Sequence, residues 1–93
     1  MRRSKIEIYI STLEALARYG PMKITRITYK AKINCSPLKA ILDTLIRKDL
    51  VEERTLRKNE IVYAATPKAR TILSYFYQLR EMLPIQEENH LKI

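Results

Sequence analysis

The sequence contains one cysteine, one glycine, one histidine and no tryptophan. Cys35 has no partner within the chain, so an intramolecular disulfide is excluded and a reducing compartment is expected. The single glycine and four prolines leave few tight turns, which disfavours a strand-rich fold. His90 has no second histidine or cysteine at a metal-binding spacing, so we expect no metal site and no other cofactor.

Long apolar runs and catalytic motifs are missing as well. No apolar stretch approaches the roughly 20 residues that a membrane span requires. The first residues, MRRSK, lead directly into an amphipathic pattern, which disfavours a signal peptide. The chain has no glycine-rich phosphate loop and no nucleophile–base pair in a recognisable context. We therefore expect a cytoplasmic, nucleoid-associated protein that is not an enzyme, contacts no membrane and has no evident small-molecule substrate.

Positive charge is the most informative property that the sequence does have. Its 93 residues, 46% hydrophobic and 30% charged, suit one globular domain, which we place at 1–84 with a flexible tail at 85–93. The net charge is +8, and residues 23–48 contain seven basic side chains against one acid, Asp43. This segment therefore has a balance of +6. Such a basic patch attracts polyanions and gives salt-dependent binding through counterion release.

The segment 36–50, SPLKAILDTLIRKDL, has the pattern of a capped amphipathic helix. Ser36 is a favourable N-cap, and Pro37 suits the first helical position. One face is apolar and consists of Leu38, Ile41, Leu42, Leu45 and Ile46. The opposite face consists of Ser36, Lys39, Ala40, Asp43, Thr44 and Arg47. A shorter helical pattern at 25–31 precedes it across a polar turn at 32–35, which predicts a helix-turn-helix with 36–50 as the recognition helix.

A first helix is predicted between a capping box, Ser4 with Glu7, and a stop at Gly20-Pro21. Its inward face is expected to contain Ile6, Tyr9, Ile10, Leu13, Leu16 and Ala17. A weaker second stripe is expected to be exposed or to meet a partner subunit, and it consists of Ile8, Thr12, Ala15 and Tyr19. Residues 22–24 suit a single short edge strand.

A β-hairpin is predicted after the recognition helix. Residues 51–54 and 60–65 are rich in β-branched and aromatic side chains and flank a polar segment that bends at Lys58-Asn59. Its tip, 54–60, carries Arg57 and Lys58, so this hairpin is expected to act as a wing that reaches DNA phosphates or the minor groove.

The last helix is predicted to start at Thr66-Pro67 and to run to about Leu83. The positions expected to point inward are Ala69, Ile72, Leu73, Phe76, Leu79 and Leu83. Its apolar arc is wider than one small domain can cover, which predicts a homodimer. The expected dimer interface consists of Tyr75, Phe76, Leu79, Met82 and Leu83.

The order helix, short strand, helix, helix, hairpin, helix is that of a winged helix-turn-helix, a mainly α fold with a small hairpin (α+β). Over residues 6–83 the chain resembles the small archaeal winged-helix DNA-binding proteins, which include transcriptional regulators and dimeric ten-kilodalton chromatin-type proteins. The resemblance rests on KIEIYISTLEAL, on GPMKITRITYKAKINCSPLKAILDTLIRKDLVEE and on YAATPKARTIL, where Ala69 replaces a usual glycine. It implies DNA binding and dimerisation, and it implies no particular operator.

The polar face of the recognition helix supplies the expected contacts to DNA. Lys39 and Arg47 are the cationic contacts, and Arg47 can reach guanine or a phosphate. Ser36 can donate to a phosphate at the helix start. Asp43 repels phosphate, so it is expected either to accept from cytosine N4 or to pair with Lys39 or Arg47. Methyl groups suited to thymine are carried by Ala40 and Thr44. Further phosphate contacts are expected from Lys23, Arg26, Lys30 and Lys32.

Two residues have open roles. Tyr29 could contact the DNA backbone, although half-buried packing is the favoured interpretation. Cys35 precedes a helix N-terminus among cations, a setting that would suit redox sensing. The favoured interpretation is a small residue that fills the turn.

The predicted function is sequence-specific binding of double-stranded DNA by a homodimeric transcriptional regulator, with its two recognition helices about 34 Å apart. One alternative is a protein-interaction module in a transcription complex, which would often lack such a basic recognition face. Another is a sequence-independent chromatin or RNA-binding protein. A basic surface without any ligand is the remaining interpretation of the charge.

Overall fold

The computed structural model describes residues 4–83, which form four α-helices and one two-stranded antiparallel hairpin. Helix α1 spans Lys5–Tyr19 and begins with the predicted capping box. The Ser4 hydroxyl accepts from the Glu7 amide at 3.2 Å, while the Glu7 carboxylate accepts from the Ser4 amide at 2.7 Å. Gly20 ends the helix with φ of 87°, a conformation that glycine adopts without steric cost.

The burial of α1 differs from the prediction at two places. Ile6, expected in the core, is 59% exposed on the first turn. Thr12 and Ala15, expected to be exposed or to meet a partner, are buried in the chain's own core. The Thr12 hydroxyl donates to the Ile8 carbonyl at 2.9 Å, which satisfies the buried polar group and removes the cost of desolvating it. The inward face of α1 is therefore rotated toward its weaker stripe.

Helix α2 spans Ile24–Ala31 and helix α3 spans Cys35–Arg47. Both start earlier than predicted. Lys23 replaces Thr25 as the N-cap of α2, and Asn34 replaces Ser36 as the N-cap of α3. Pro37 is consequently the third residue of α3, a position whose amide has no intrahelical partner either, so the missing N–H costs nothing. Lys32 between the helices has a left-handed backbone with φ of 58°.

The end of α3 is three residues earlier than predicted. Asp49 adopts a left-handed conformation with φ of 62°. The Leu50 amide then donates to the Leu45 carbonyl at 2.8 Å, and the Asp49 amide donates to the Ile46 carbonyl at 3.0 Å. This is the Schellman arrangement, usually made by glycine, and it turns the chain away from the helix axis before Leu50.

Strands β1, Val51–Thr55, and β2, Ile61–Ala65, pair antiparallel with Val51 opposite Ala65 and Thr55 opposite Ile61. A 3-10 turn, Arg57–Asn59, joins them. The predicted bend is confirmed, since Lys58 and Asn59 both have positive φ. The expected edge strand at 22–24 is reduced to one bridge, in which Met22 exchanges two backbone hydrogen bonds with Tyr63.

Helix α4 spans Pro67–Met82 and begins where Thr66-Pro67 predicted. Thr66 is 5% exposed, and its hydroxyl accepts from the Ala69 amide at 3.2 Å and donates to the Asp49 carbonyl at 2.8 Å. The Thr66 amide also donates to the Leu50 carbonyl at 3.1 Å. The start of α4 is thereby joined to the turn that ends α3.

One hydrophobic core connects the elements. Its largest fully buried apolar side chains are Leu13, Leu16, Ile27, Leu38, Leu42 and Val51. Within residues 4–83, no helix has the length and apolar character needed to cross a membrane. The proposed tail at 85–93 lies outside the described residues.

Candidate nucleic-acid interface

Burial on one side of α3 leaves the predicted polar face on the surface. Leu38, Leu42 and Leu45 are at most 2% exposed and fix the helix against the core. The opposite residues Ser36, Lys39, Ala40, Asp43 and Arg47 are exposed, while Thr44 is half-buried. The apolar contacts therefore set the direction of α3, and its outer face remains available to a ligand.

The outer face contains one local hydrogen-bonded chain. The Thr44 hydroxyl donates to the Ala40 carbonyl at 3.1 Å, and Arg47 Nη2 donates to the Thr44 hydroxyl at 3.3 Å. Asp43 forms no ion pair with Lys39 or Arg47 within the part of the chain that the structure describes. Of the two roles expected for Asp43, the ion pair with a cation is not formed in the described structure, its carboxylate stays on the outer face, and the contact to cytosine stays a prediction.

Two of the predicted cations lie on the first turn of α2. Lys23 and Arg26 are both exposed. The Lys23 ammonium is 2.8 Å from the Glu60 carboxylate, so this ion pair joins the start of α2 to the wing. This pairing was not predictable from local sequence, because the two residues are 37 positions apart and lie beside the bridge between Met22 and Tyr63.

Lys30 and Lys32 lie in a different environment from the cations of α3. Both line a cleft of about 720 Å³ formed mainly by α1 and α4. Arg18 and Arg70 line the same cleft. The Lys30 ammonium lies 4.3 Å from the centre of the Tyr19 ring, a cation–π contact. The structure therefore groups these two lysines with α1 and α4, and not with Lys39 and Arg47.

The wing carries its cations at the tip, as predicted. Arg57 and Lys58 are exposed, and Arg54 is paired with Glu52 at 2.8 Å. Two apolar side chains beside the tip, Leu56 and Ile61, are also exposed. Neither residue was predicted to be exposed at the tip, and a β-branched residue such as Ile61 in a predicted strand is normally assigned to the core.

Acidic groups interrupt the basic surface where the hairpin approaches α3. Burial raises the pKa of the Tyr63 phenol above its ordinary value of 10.0, and the negative charges of Glu53 and Asp43 raise it further. Both carboxylates therefore act on the same phenol, although one lies on α3 and the other on β1. Glu53 was not predicted as a neighbour of this surface, because the two carboxylates are brought near the same phenol only by the packing of the hairpin against α3.

Two residues with open roles are more accessible than expected. Tyr29 is 79% exposed, so the favoured half-buried packing is wrong. Its position on α2 leaves both the ring and the hydroxyl accessible. Cys35 is an exposed free thiol in the first turn of α3, and it does not fill the preceding turn.

The predicted dimer surface on α4 is largely uncovered. Tyr75, Leu79, Met82 and Leu83 are exposed, with Met82 at 77%. Leu79 and Leu83 had also been expected to point inward, which the structure contradicts. Phe76 differs from the other four because it is half-buried against the core, and the Arg80 guanidinium lies 5.6 Å from the centre of its ring.

A sequence model of the winged helix-turn-helix family matches residues 2–84. The chain belongs to this family. Similar folds occur in solved structures, of which three are described. Sso10a-2, a DNA-binding protein from Sulfolobus solfataricus, is 27% identical, and the match covers 97% of this chain and 95% of that one with a TM-score of 0.71.

Two longer regulators share the fold at lower identity. The transcriptional regulator BldR from Sulfolobus solfataricus is 23% identical, with 87% of this chain and 60% of that chain covered and a TM-score of 0.72. BpsR from Bordetella bronchiseptica is 15% identical, and the match covers 81% of this chain and 54% of that chain with a TM-score of 0.73. The DNA binding of BpsR is regulated by 6-hydroxynicotinic acid. This winged helix-turn-helix protein thus spans little more than half of BpsR. No curated protein matches the chain.

These similarities confirm the predicted fold and the resemblance to small archaeal winged-helix proteins. The same fold is found in the DNA-binding protein Sso10a-2 and in the transcriptional regulator BldR.

Proposed function

We propose that this winged helix-turn-helix protein binds double-stranded DNA sequence-specifically as a homodimeric transcriptional regulator. In this proposal α3 enters the major groove, and the wing, residues 54–60, contacts the backbone or the minor groove. The observation that carries the proposal is the exposed outer face of α3, which presents Lys39 and Arg47 while the inner face is buried. Lys23, Arg26, Arg57 and Lys58 extend this basic surface on both sides of the helix.

The contacts divide into two kinds. Arg47 can donate two hydrogen bonds to guanine O6 and N7, and such a pair discriminates between bases. Lys39, Arg26 and the wing cations are proposed to contact phosphates, which adds affinity without sequence information. Asp43 supplies the acceptor that distinguishes cytosine, and its charge disfavours any groove in which a phosphate would approach it.

Substitution of the two central cations tests the DNA contact. Arg47→Ala and Lys39→Ala should each weaken binding to a duplex selected by the wild-type protein from a random pool, by about tenfold for Arg47. The dependence of affinity on salt should become shallower by about one unit for each lost phosphate contact. Arg70→Ala and Lys5→Ala are matched controls, since they remove the same charges from α4 and α1. If the controls weaken binding as much as Arg47→Ala and Lys39→Ala do, the proposed face of α3 is wrong.

Dimerisation is proposed from the exposed apolar side chains of α4. A surface formed by Tyr75, Leu79, Met82 and Leu83 is costly to leave in water, and a second copy of the same helix would cover it. Sedimentation at tens of micromolar should give twice the mass of 11.0 kDa. Leu79→Lys should give a monomer with weaker DNA binding, whereas Ser74→Lys, on the cleft side of the same helix, should remain dimeric. A monomeric wild-type protein would remove the dimer from the proposal and leave the DNA contact intact.

The regulatory role is separated from its rivals by mapping bound DNA across the genome of the source cell. A regulator gives sharp peaks that share a sequence. A sequence-independent chromatin protein gives uniform coverage, and a protein-interaction module gives no enrichment.

A further inference from the structure

Thr44 lies between Ala40 and Arg47 on the outer face of α3 and is hydrogen-bonded to both. Its hydroxyl donates to the Ala40 carbonyl at 3.1 Å and accepts from Arg47 Nη2 at 3.3 Å. Spacings of four and three residues place all three groups along one side of the helix. A threonine hydroxyl that donates to its own i−4 carbonyl is held in one rotamer, so the lone pair that Arg47 uses has a defined direction.

The contact to Thr44 orients Arg47 without neutralising it. No carboxylate among residues 4–83 forms an ion pair with Arg47. A guanidinium has five N–H donors, of which the contact to Thr44 uses one. The remaining donors and the full charge are available to guanine or to a phosphate. An exposed arginine otherwise samples many rotamers, and binding has to restrict them, so a side chain that is already oriented binds at a lower entropic cost.

We propose that Thr44 is a positioning residue that orients the Arg47 guanidinium for contact with DNA. This inference rests on the proposed function of α3. It replaces the expectation that the methyl group of Thr44 contacts thymine, because the structure engages the hydroxyl and leaves the side chain half-buried. The two roles depend on different atoms of the same side chain, and two substitutions separate them.

Thr44→Val keeps the shape and the methyl group but removes the hydroxyl. Thr44→Ser keeps the hydroxyl but removes the methyl group. On a duplex selected by the wild-type protein, positioning predicts that Thr44→Val weakens binding about two- to tenfold while Thr44→Ser stays close to wild type. A methyl contact to thymine predicts the reverse order, and that result would overturn the proposal. Circular dichroism and thermal unfolding show whether each variant is folded.

A double-mutant cycle with Arg47→Ala gives a readout that a merely structural role would not produce. If Thr44 acts through Arg47, Thr44→Val should have no further effect once Arg47 is removed. An equal loss in both backgrounds would show an independent role and refute positioning. If Arg47→Ala weakens binding but Thr44→Val does not, only the positioning role fails. If Arg47→Ala binds like wild type, the proposed contact of α3 fails, and the role of Thr44 fails with it.

Discussion

Removal of the Thr66 hydroxyl is predicted to lower the stability of the protein, because this hydroxyl joins α4 to the end of α3. Thr66 is the N-cap of α4 and is only 5% exposed, and its hydroxyl also donates to the Asp49 carbonyl in the turn that ends α3. Thr66→Val replaces the hydroxyl with a methyl group of similar volume. The substitution therefore removes two hydrogen bonds and changes the packing little.

The expected loss follows from these two bonds. An N-cap contributes about 1 kcal/mol. A buried carbonyl or amide that loses its hydrogen-bond partner costs about 1–3 kcal/mol of stability. The lower end of this range applies here, because the Ala69 amide keeps a second acceptor, the Thr66 carbonyl, at 3.0 Å. Thr66→Val should thus destabilise the protein by about 2–3 kcal/mol, equivalent to a decrease in Tm of about 10–20 °C. Thr66→Ser keeps both bonds and loses one methyl group, so its cost is about 1 kcal/mol.

Urea and thermal unfolding followed by circular dichroism, at one fixed protein concentration, measure these differences. Thr71→Val is the matched control, since its exposed hydroxyl donates only to the Pro67 carbonyl within α4 and its loss should change stability by less than about 0.5 kcal/mol. The reasoning is refuted if Thr66→Val is less destabilising than Thr66→Ser. That order would mean that the buried methyl group, and not the hydroxyl, stabilises the junction.

Two other perturbations follow from single contacts. Glu60→Gln should strengthen DNA binding a few-fold in equilibrium titrations and make the affinity fall more steeply with salt. The reason is that Lys23 is released from its 2.8 Å ion pair with Glu60 and can contact a phosphate. The same gain in affinity with Glu81→Gln would show a general effect of charge instead. Burial and the hydrogen bond from the Tyr77 hydroxyl to Glu14 at 2.7 Å raise the pKa of Tyr77 above 10.0. The folded state therefore holds this proton more tightly, and the associated stability is lost as the pH rises above about 10. In urea unfolding, Tyr77→Phe should lose less stability than wild type between about pH 8 and pH 11, and an equal loss in both proteins would contradict this assignment.

The features that were predicted correctly from the sequence are helix starts and turns, which depend on residues close together in the chain. The Ser4–Glu7 capping box and the start of α4 at Thr66-Pro67 depend on side chains within three residues of the backbone groups that they satisfy. The bend at Lys58-Asn59 depends on two consecutive residues with positive φ. The order of elements followed from the spacing of these signals. For the same reason the polar face of α3 was predictable from helical periodicity once its inner leucines were recognised.

The boundaries of α3 could not be predicted in this way. Asn34 and Ser36 are both good N-caps, and Pro37 is tolerated anywhere in the first turn, so the left-handed conformation of Lys32 decides the start. The end depends on a left-handed Asp49, which lacks the glycine signal and is bonded through its carbonyl to Thr66, 17 residues away.

The side chains whose surroundings were predicted wrongly are those whose exposure depends on tertiary contacts. Periodicity ranks Ile6 with the core, but a residue on the first turn of α1 is buried only if another element reaches it. The position of Lys30 over the Tyr19 ring depends on how α1 packs against α2. A count of charges cannot distinguish Lys30 from Lys39. Their different surroundings become apparent only in the folded structure.

The two ends of α3 are fixed by backbone conformations, and neither end uses a side chain of the outer face as its cap. A cap at Ser36 would have used its hydroxyl to satisfy the helix itself. With Asn34 in that position, Ser36 does not cap the helix, and its side chain lies exposed on the first turn. At the other end the left-handed Asp49 turns the chain toward Thr66 and places Arg47 on the last turn of the helix. The correction to the helix boundaries therefore strengthens the proposed role of α3, because both residues at its ends are free to contact DNA.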